Sequence, residues 1–316
     1  MLTVVIALAA NVAIAVLKSI VAGLTGSASM VAEAAHSWAD AGNEVFLLIA
    51  EKRGEKPADR THPLGFGRES YVWSMIAAFG LFSVGAAVSV IHGVQSLGAE
   101  EGESDYLWAY VVLGAAFVLE GISFAQARRE VRRGARKADM SRAKFLDVTS
   151  NPTLRAVFFE DAAALVGILI AVAGLGLHQA TGEPVWDAVG SILVGLLLGF
   201  VAIYLLRRNM AFLVGQIADP QAYETVLGWL AERPEVQTVN TLHLEYVGPG
   251  KVFLVGSVDL VGDDTESRAA EKLQAVEDHL EQRHEIARAV LSLAAPGRAP
   301  SIPGRAEDPN GNNRGG

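Results

Sequence analysis

His36 and Asp40 stand four residues apart inside an otherwise apolar run, and Asn43 follows three residues later. A helix would carry all three near one face, because residues one turn apart are neighbours on its surface. An imidazole and a carboxylate at i and i+4 make half of a metal site on one helix. A second helix must supply the rest, and Glu160 and Asp161, in another apolar run, offer it. The chain has no cysteine, which excludes disulfides and thiolate ligation. One imidazole with carboxylates suits Zn²⁺, Fe²⁺, Co²⁺ or Mn²⁺, whereas an all-oxygen set would point to Mg²⁺ or Ca²⁺. The same groups bind protons, so ligation must release them. A site that trades protons for a cation and opens alternately to two sides is an antiporter in outline. Glu160 stands about 100° around the helix from Asp161, so the two should not point the same way. Ligation by Glu160 is weighed against a pair with a basic partner. For Asn43 the competing role is a hydrogen bond between helices.

The elements that must position these groups read as spanning helices. Of 316 residues, 51% are hydrophobic and 19% charged, less charge than soluble domains carry. About 20 apolar residues cross a bilayer. Six stretches qualify: about 2–23, 28–50, 69–97, 107–128, 153–177 and 184–206. The first starts beside Met1 without a basic leader, and is expected to be a span and not a cleaved signal. Segment 51–68 carries Lys52, Arg53, Lys56, Arg60 and Arg68, and segment 128–150 carries eight Lys or Arg. The connectors Thr25–Ala28, Gly98–Leu107 and His178–Pro184 carry none. The positive-inside rule then places both termini in the cytoplasm, at the inner (plasma) membrane. On this topology Asp40 lies about 18 Å below the outer face and Asp161 about 12 Å above the inner one. Together these depths match the hydrocarbon thickness of about 30 Å, so the two acids share one level.

Other ionisable groups also fall inside spans, where each costs about 2.5–3.5 kcal/mol on insertion scales. Lys18 is expected either to pair with Glu120 or Glu33, or to snorkel. Asp187, near an outer helix end, reads as structural. The basic run 128–144 reads as a topology signal in contact with lipid headgroups, or as a gate over the inner mouth.

Beyond Asn209 the composition changes. Gln221–Arg233 reads as an amphipathic helix, Val236–Val247 and Val252–Val261 as strands around Gly248-Pro249-Gly250, Thr265–His284 as a helix, and Ile286–Leu293 as a strand. This α-β-β-α-β order fits a small ferredoxin-like α+β domain. Residues 297–316, rich in Gly, Pro, Asn and Arg, are expected to be a disordered tail. The expected organisation is a transmembrane domain over 1–210, a cytoplasmic domain over 211–296 and the tail. A net charge of −9 argues against nucleic acid as a partner.

Several runs resemble the cation diffusion facilitators, in their zinc transporter 9-like branch. They are Thr25 to Asp40 (TGSASMVAEAAHSWAD), His62 to Glu69 (HPLGFGRE), Asn151 to Gly167, and Asp187 to Gly199. The similarity covers roughly residues 1–295. It implies a homodimer of six-span protomers with cytoplasmic ferredoxin-like domains, working by metal–proton antiport, most often zinc export. The metal is then substrate, and no cofactor is implied. The intramembrane ligands implied are His36 and Asp40 on span two and Asp161 on span five. The other span-five position falls on Val157, which cannot ligate, leaving Glu160, Asn43 or water to complete the set. A first-loop site is implied at His62 and Asp59, but a further histidine position holds Phe66, so that site is expected to be weak or absent. His243, His279 and His284 miss the positions of the family's cytoplasmic metal cluster, so that domain is expected to serve dimerisation. Two rival readings remain. One is an intramembrane metalloenzyme with Glu160 as base, though no H-E-x-x-H motif occurs. The other is a non-transporting membrane scaffold.

Overall fold

The computed structural model describes residues 2–97 and 107–294. The expected tail and nearly all of the connector 98–107 lie outside the described residues. The chain divides into two units, Met1–Glu55 with Glu69–Ala211, and Lys56–Arg68 with Phe212–Gly316.

The first unit is helical: α1 (Leu2–Thr25), α2 (Ala28–Gly54), α3 (Glu69–Ser96), α4 (Leu107–Lys137), α5 (Arg142–Val148), α6 (Pro152–Thr181) and most of α7 (Val185–Val214). Local chemistry sets the helix ends. Gly26, at φ 66°, closes α1 in the left-handed region, and its N–H reaches Ala22 O at 3.0 Å. The next residue, Ser27, caps α2 by accepting from Met30 N at 3.1 Å. Asn151 caps α6 in the same way, accepting from Leu154 N at 3.0 Å, with Pro152 in the first turn.

Four of these helices, α3, α4, α6 and α7, are long and apolar enough to cross a membrane, and Asn11–Thr25 is a shorter apolar stretch. The interior of α2 carries Glu33, Asp40 and Glu44, which lowers its apolar character. Polarity in this unit is inverted relative to a water-soluble protein. Leu24, Phe200, Trp108 and Val84 are more than 60% exposed, whereas Lys18, Glu33, His36, Arg155 and Asp187 are fully buried. Large apolar side chains facing outward around buried charge suit a hydrocarbon solvent. Small residues line the buried face of α2, among them Ala28, Ala32, Ala39 and Ala41. They let helix backbones approach where lipid supplies no hydrophobic drive.

The second unit follows the order α8 (Pro220–Ala231), β1 (Val236–Gly248), β2 (Lys251–Leu260), α9 (Glu266–Glu281) and β3 (Ile286–Leu293). β1 pairs antiparallel with β2, and β2 pairs parallel with β3, giving the sheet order β1-β2-β3. Burial alternates along β2, as one-sided covering requires. Val226 and Leu230 of α8, Val276 and Leu280 of α9, and Leu242, Leu244, Leu254 and Val258 of the strands are buried.

Of the connector 51–68 expected between spans, the first residues extend α2 to Gly54, and Lys56–Arg68 belongs with this second unit. A Cβ on Gly67 would meet Val247 O at 2.6 Å, so only glycine allows the loop to lie against the end of β1. Arg68 and Glu245 form an ion pair beside this contact. Within the loop, Oδ1 of Asp59 accepts from Thr61 Oγ1 at 2.7 Å, His62 N at 2.7 Å and Thr61 N at 2.8 Å. The Thr61 hydroxyl first, then the His62 amide, hold this carboxyl down from 3.8 to about 2. Its support for the turn is therefore complete above pH 3.8 and lost as pH falls through about 2. An NMR titration of Asp59 should show that low midpoint, and Thr61→Val should raise it towards 3.8. An unchanged midpoint in the variant would refute the hydroxyl's role.

Candidate functional site

α2 presents His36, Asp40 and Glu44 at successive turns of one face. His36 is fully buried, with the ring of Phe82 edge-on at 6.5 Å. Its Nε2 lies 3.2 Å from Asp40 Oδ2, a close approach and not an aligned hydrogen bond. Neither ring nitrogen has a hydrogen-bond partner among the described residues.

Next to this pair a cavity of about 100 Å³ opens between α1, α2, α4 and α6. Its wall carries Asp40 and Glu44 from α2, Glu120 and Ser123 from α4, and Glu160 and Asp161 from α6, with Asn11, Leu47 and Val157 completing it. That is five carboxyl groups and, among the described residues, no Lys or Arg. The space suffices for several waters or a partly hydrated ion.

Three polar contacts hold the acids at the rim. Asn11 Nδ2 donates to Glu44 Oε2 at 3.1 Å, and Ser123 Oγ donates to Asp161 Oδ2 at 2.8 Å. The Asn43 amide donates to Glu160 Oε1. Oδ1 of Asp40 has no hydrogen-bond partner among the described residues.

Asp40, Glu160 and Asp161 thus share one cavity, with His36 against Asp40. Yet no three His, Asp or Glu side chains among the described residues are close enough to hold one ion. Like charges repel across a low-dielectric space, and catalytic and binding contacts often tighten only around their ligand. The adjacent Glu160 and Asp161 do turn to different helices, α2 and α4, but the cavity is broad enough to take both. Glu160 meets the Asn43 amide in place of a basic partner, so Asn43 links α2 to α6 by a hydrogen bond. Val157, at the position where the family resemblance implies another ligand, sits in the wall.

Glu44, unexpected as a cavity acid, carries a signal legible in the sequence, its i+4 spacing from Asp40. Glu120, expected only as a partner for Lys18, lines the cavity instead. The structure resolves that choice: Lys18 Nζ lies 2.9 Å from Glu33 Oε2, with both side chains buried. Gly167 of α6 makes room for this pair, since a Cβ there would stand 2.6 Å from Glu33 Oε1. Gly167→Ala should therefore destabilise the protein by about 1–3 kcal/mol through overpacking. An unshifted thermal unfolding transition in detergent would contradict this. Asp187 is structural: its Oδ1 accepts from Ser29 N at 3.3 Å, and Ser29 Oγ donates to its carbonyl at 2.9 Å. An acid at the first turn of α2 also complements the helix dipole.

In the second unit His62 is half-exposed, 3.5 Å from Asp59, with its ring 4.0 Å from that of Phe66. His243 stands exposed on β1, His284 exposed between α9 and β3, and His279 partly buried on α9.

Residues 4–214 match a family described as the cation efflux transmembrane domain. The chain is 36% identical over 233 residues to metal tolerance protein C4 of Arabidopsis thaliana, covering 74% of this chain and 51% of that one. It is 35% identical over 238 residues to the mitochondrial proton-coupled zinc antiporter SLC30A9 of Homo sapiens, covering 75% and 42%. Against magnetosome protein MamB of Paramagnetospirillum magneticum it is 24% identical over 247 residues, 78% of each chain. The aligned region thus spans about half the length, or less, of the plant and human relatives. With buried acids inside an apolar-surfaced helical unit and a family match over most of its length, the chain belongs to the cation efflux family, multi-pass membrane proteins that are transporters and not enzymes.

Proposed function

We propose that the protein exports a divalent metal cation, Zn²⁺ first, in exchange for protons. The observation that carries this reading is the five-carboxylate cavity, lined by no Lys or Arg among the described residues. Such a cluster needs counter-charge, and protons and a metal ion are the two candidates that can exchange there. The names of the relatives support the same pairing, since the human one is a proton-coupled zinc antiporter.

In this reading His36, Asp40 and Asp161 bind the ion, with Glu160 completing the set once Asn43 releases it, or Asn43 ligating through its own carbonyl oxygen. Both ring nitrogens of His36 are free of hydrogen bonds to the described residues, which suits a group that must alternate between proton and metal. Rocking of the helices exposes the loaded site to the far side, where protons displace the ion. The six helices α1, α2, α3, α4, α6 and α7 form the spanning bundle, and α8 to β3 a ferredoxin-like domain that pairs two copies into a homodimer. The basic connectors support cytoplasmic termini, and in this reading the bundle lies in the plasma membrane. The name of the human relative places that protein in mitochondria.

The test is reconstitution. Liposomes holding the purified full chain and a pH-sensitive dye should show proton movement on addition of Zn²⁺, with Mn²⁺, Fe²⁺ and Co²⁺ compared alongside. Absence of metal-driven proton movement for every ion would overturn the proposal.

A further inference from the structure

The basic run at the end of α4 does more than set topology. We propose that the groove between α4, α5 and α6 is a binding site for an anionic phospholipid whose headgroup carries two phosphates. The groove is a cavity of about 960 Å³, lined by Arg129, Arg133, Arg136 and Lys137 against a single acid, Glu130. Arg129, Arg133 and Arg136 are exposed and make no ion pair with a described residue. Three uncompensated guanidinium groups on one wall form an anion-selective surface, and arginine binds phosphate in two-point fashion.

Three features point to a lipid over a soluble phosphate. First, depth: the fourth apolar stretch ends near Arg128, so Arg129 and Arg133 stand about 2 and 8 Å beyond it. The headgroup layer on each side of the hydrocarbon is about 5–8 Å thick, so these side chains reach lipid phosphates. Second, the groove is amphipathic. Phe145 of α5 and Leu154 of α6 line it together with the cations. Gly134 admits Phe145, since a Cβ on Gly134 would collide with the ring. A free phosphate has no use for an aromatic floor, whereas glycerol and the first acyl carbons do. Third, reach: the four cations extend over about 12 Å of helix, beyond the span of one phosphate.

The experiment uses the full chain purified in detergent and titrated with a two-phosphate anionic lipid, a one-phosphate anionic lipid and a neutral phosphatidylcholine. Bound lipid is counted by native mass spectrometry, and thermal unfolding is followed in parallel. The variant Arg129→Gln/Arg133→Gln removes two groove cations. Its control, Arg128→Gln/Arg132→Gln, removes equal charge at the same depth from positions that do not line the groove. The expected result is retention of the two-phosphate lipid by wild type, weakened by about ten-fold or more in the groove variant and by much less in the control. Both variants should unfold at the wild-type temperature without added lipid, so that weakened binding is not misfolding. Equal weakening in the two variants would reduce the effect to general charge and overturn the site. So would no preference over phosphatidylcholine, or inorganic pyrophosphate binding as tightly as the lipid.

Discussion

Asp40→Asn and Asp161→Asn should each lower metal-driven proton flux by about 100-fold or more. Even groups that merely orient metal ligands are worth about 10–100-fold in affinity, and these two are proposed to touch the ion. The substitution keeps shape and removes charge. Asp40 is the more exposed to this change, because its Oδ1 has no hydrogen-bond partner among the described residues and its Oδ2 faces His36. Asp161 keeps its Ser123 contact only through one oxygen, leaving the other for the cavity. The same variants should be no less stable than wild type. Five acids around a cavity of about 100 Å³ repel one another when no cation is present. Removing one charge relieves that repulsion, the usual opposition between a binding site and fold stability. Flux and thermal unfolding, measured on one preparation, separate the outcomes. Wild-type flux in both variants would remove Asp40 and Asp161 from the transport site. Lost flux with a collapsed unfolding temperature would mean that the acids hold the fold.

Lys18→Met should be the most damaging single change to stability, at about 3–5 kcal/mol. The ammonium of Lys18 and the carboxylate of Glu33 meet at 2.9 Å with neither side chain reaching solvent. Removing one partner leaves a buried charge with nothing to balance it. Oε1 of Glu33 already lacks a hydrogen-bond partner among the described residues, so the carboxylate has no second donor to fall back on. Replacing both, Lys18→Met with Glu33→Gln, should recover most of the loss, because a neutral pair of similar volume carries no desolvation penalty. Thermal unfolding of the two variants in one detergent decides the matter. A single variant as stable as wild type, or a double variant as unstable as the single, would show that the pair is not the anchor between α1 and α2.

Much of this protein is legible one helix at a time. The apolar stretches near 28–50, 69–97 and 107–128 correspond to α2, α3 and α4; the extra turns of α2 and α4 are the charged ends that a hydropathy reading trims. His36 and Asp40 adjoin because helical period alone brings i and i+4 together. Helix rise and bilayer thickness, both constants, lead one to expect Asp40 and Asp161 at one depth, and the two do line one cavity. The strand Ile286–Leu293 is the same in both readings, since alternation and flanking turns bound it locally.

What needed the folded chain was every choice between partners on different elements. Lys18 had Glu33 and Glu120 within plausible reach, and only the packing of α1 on α2 selects Glu33. Glu44, Glu120 and Asn11 join the cavity because four helix faces meet there, a matter of rotation and crossing that no single-helix pattern encodes. Segment 56–68 looks like any basic loop between spans, yet it lies on the second unit because Gly67 fits against β1 at a distance that any side chain would forbid. Spacing along a helix is short-range and written in residue order. The meeting of helices depends on the summed fit of many side chains, and is decided only when all of them are in place.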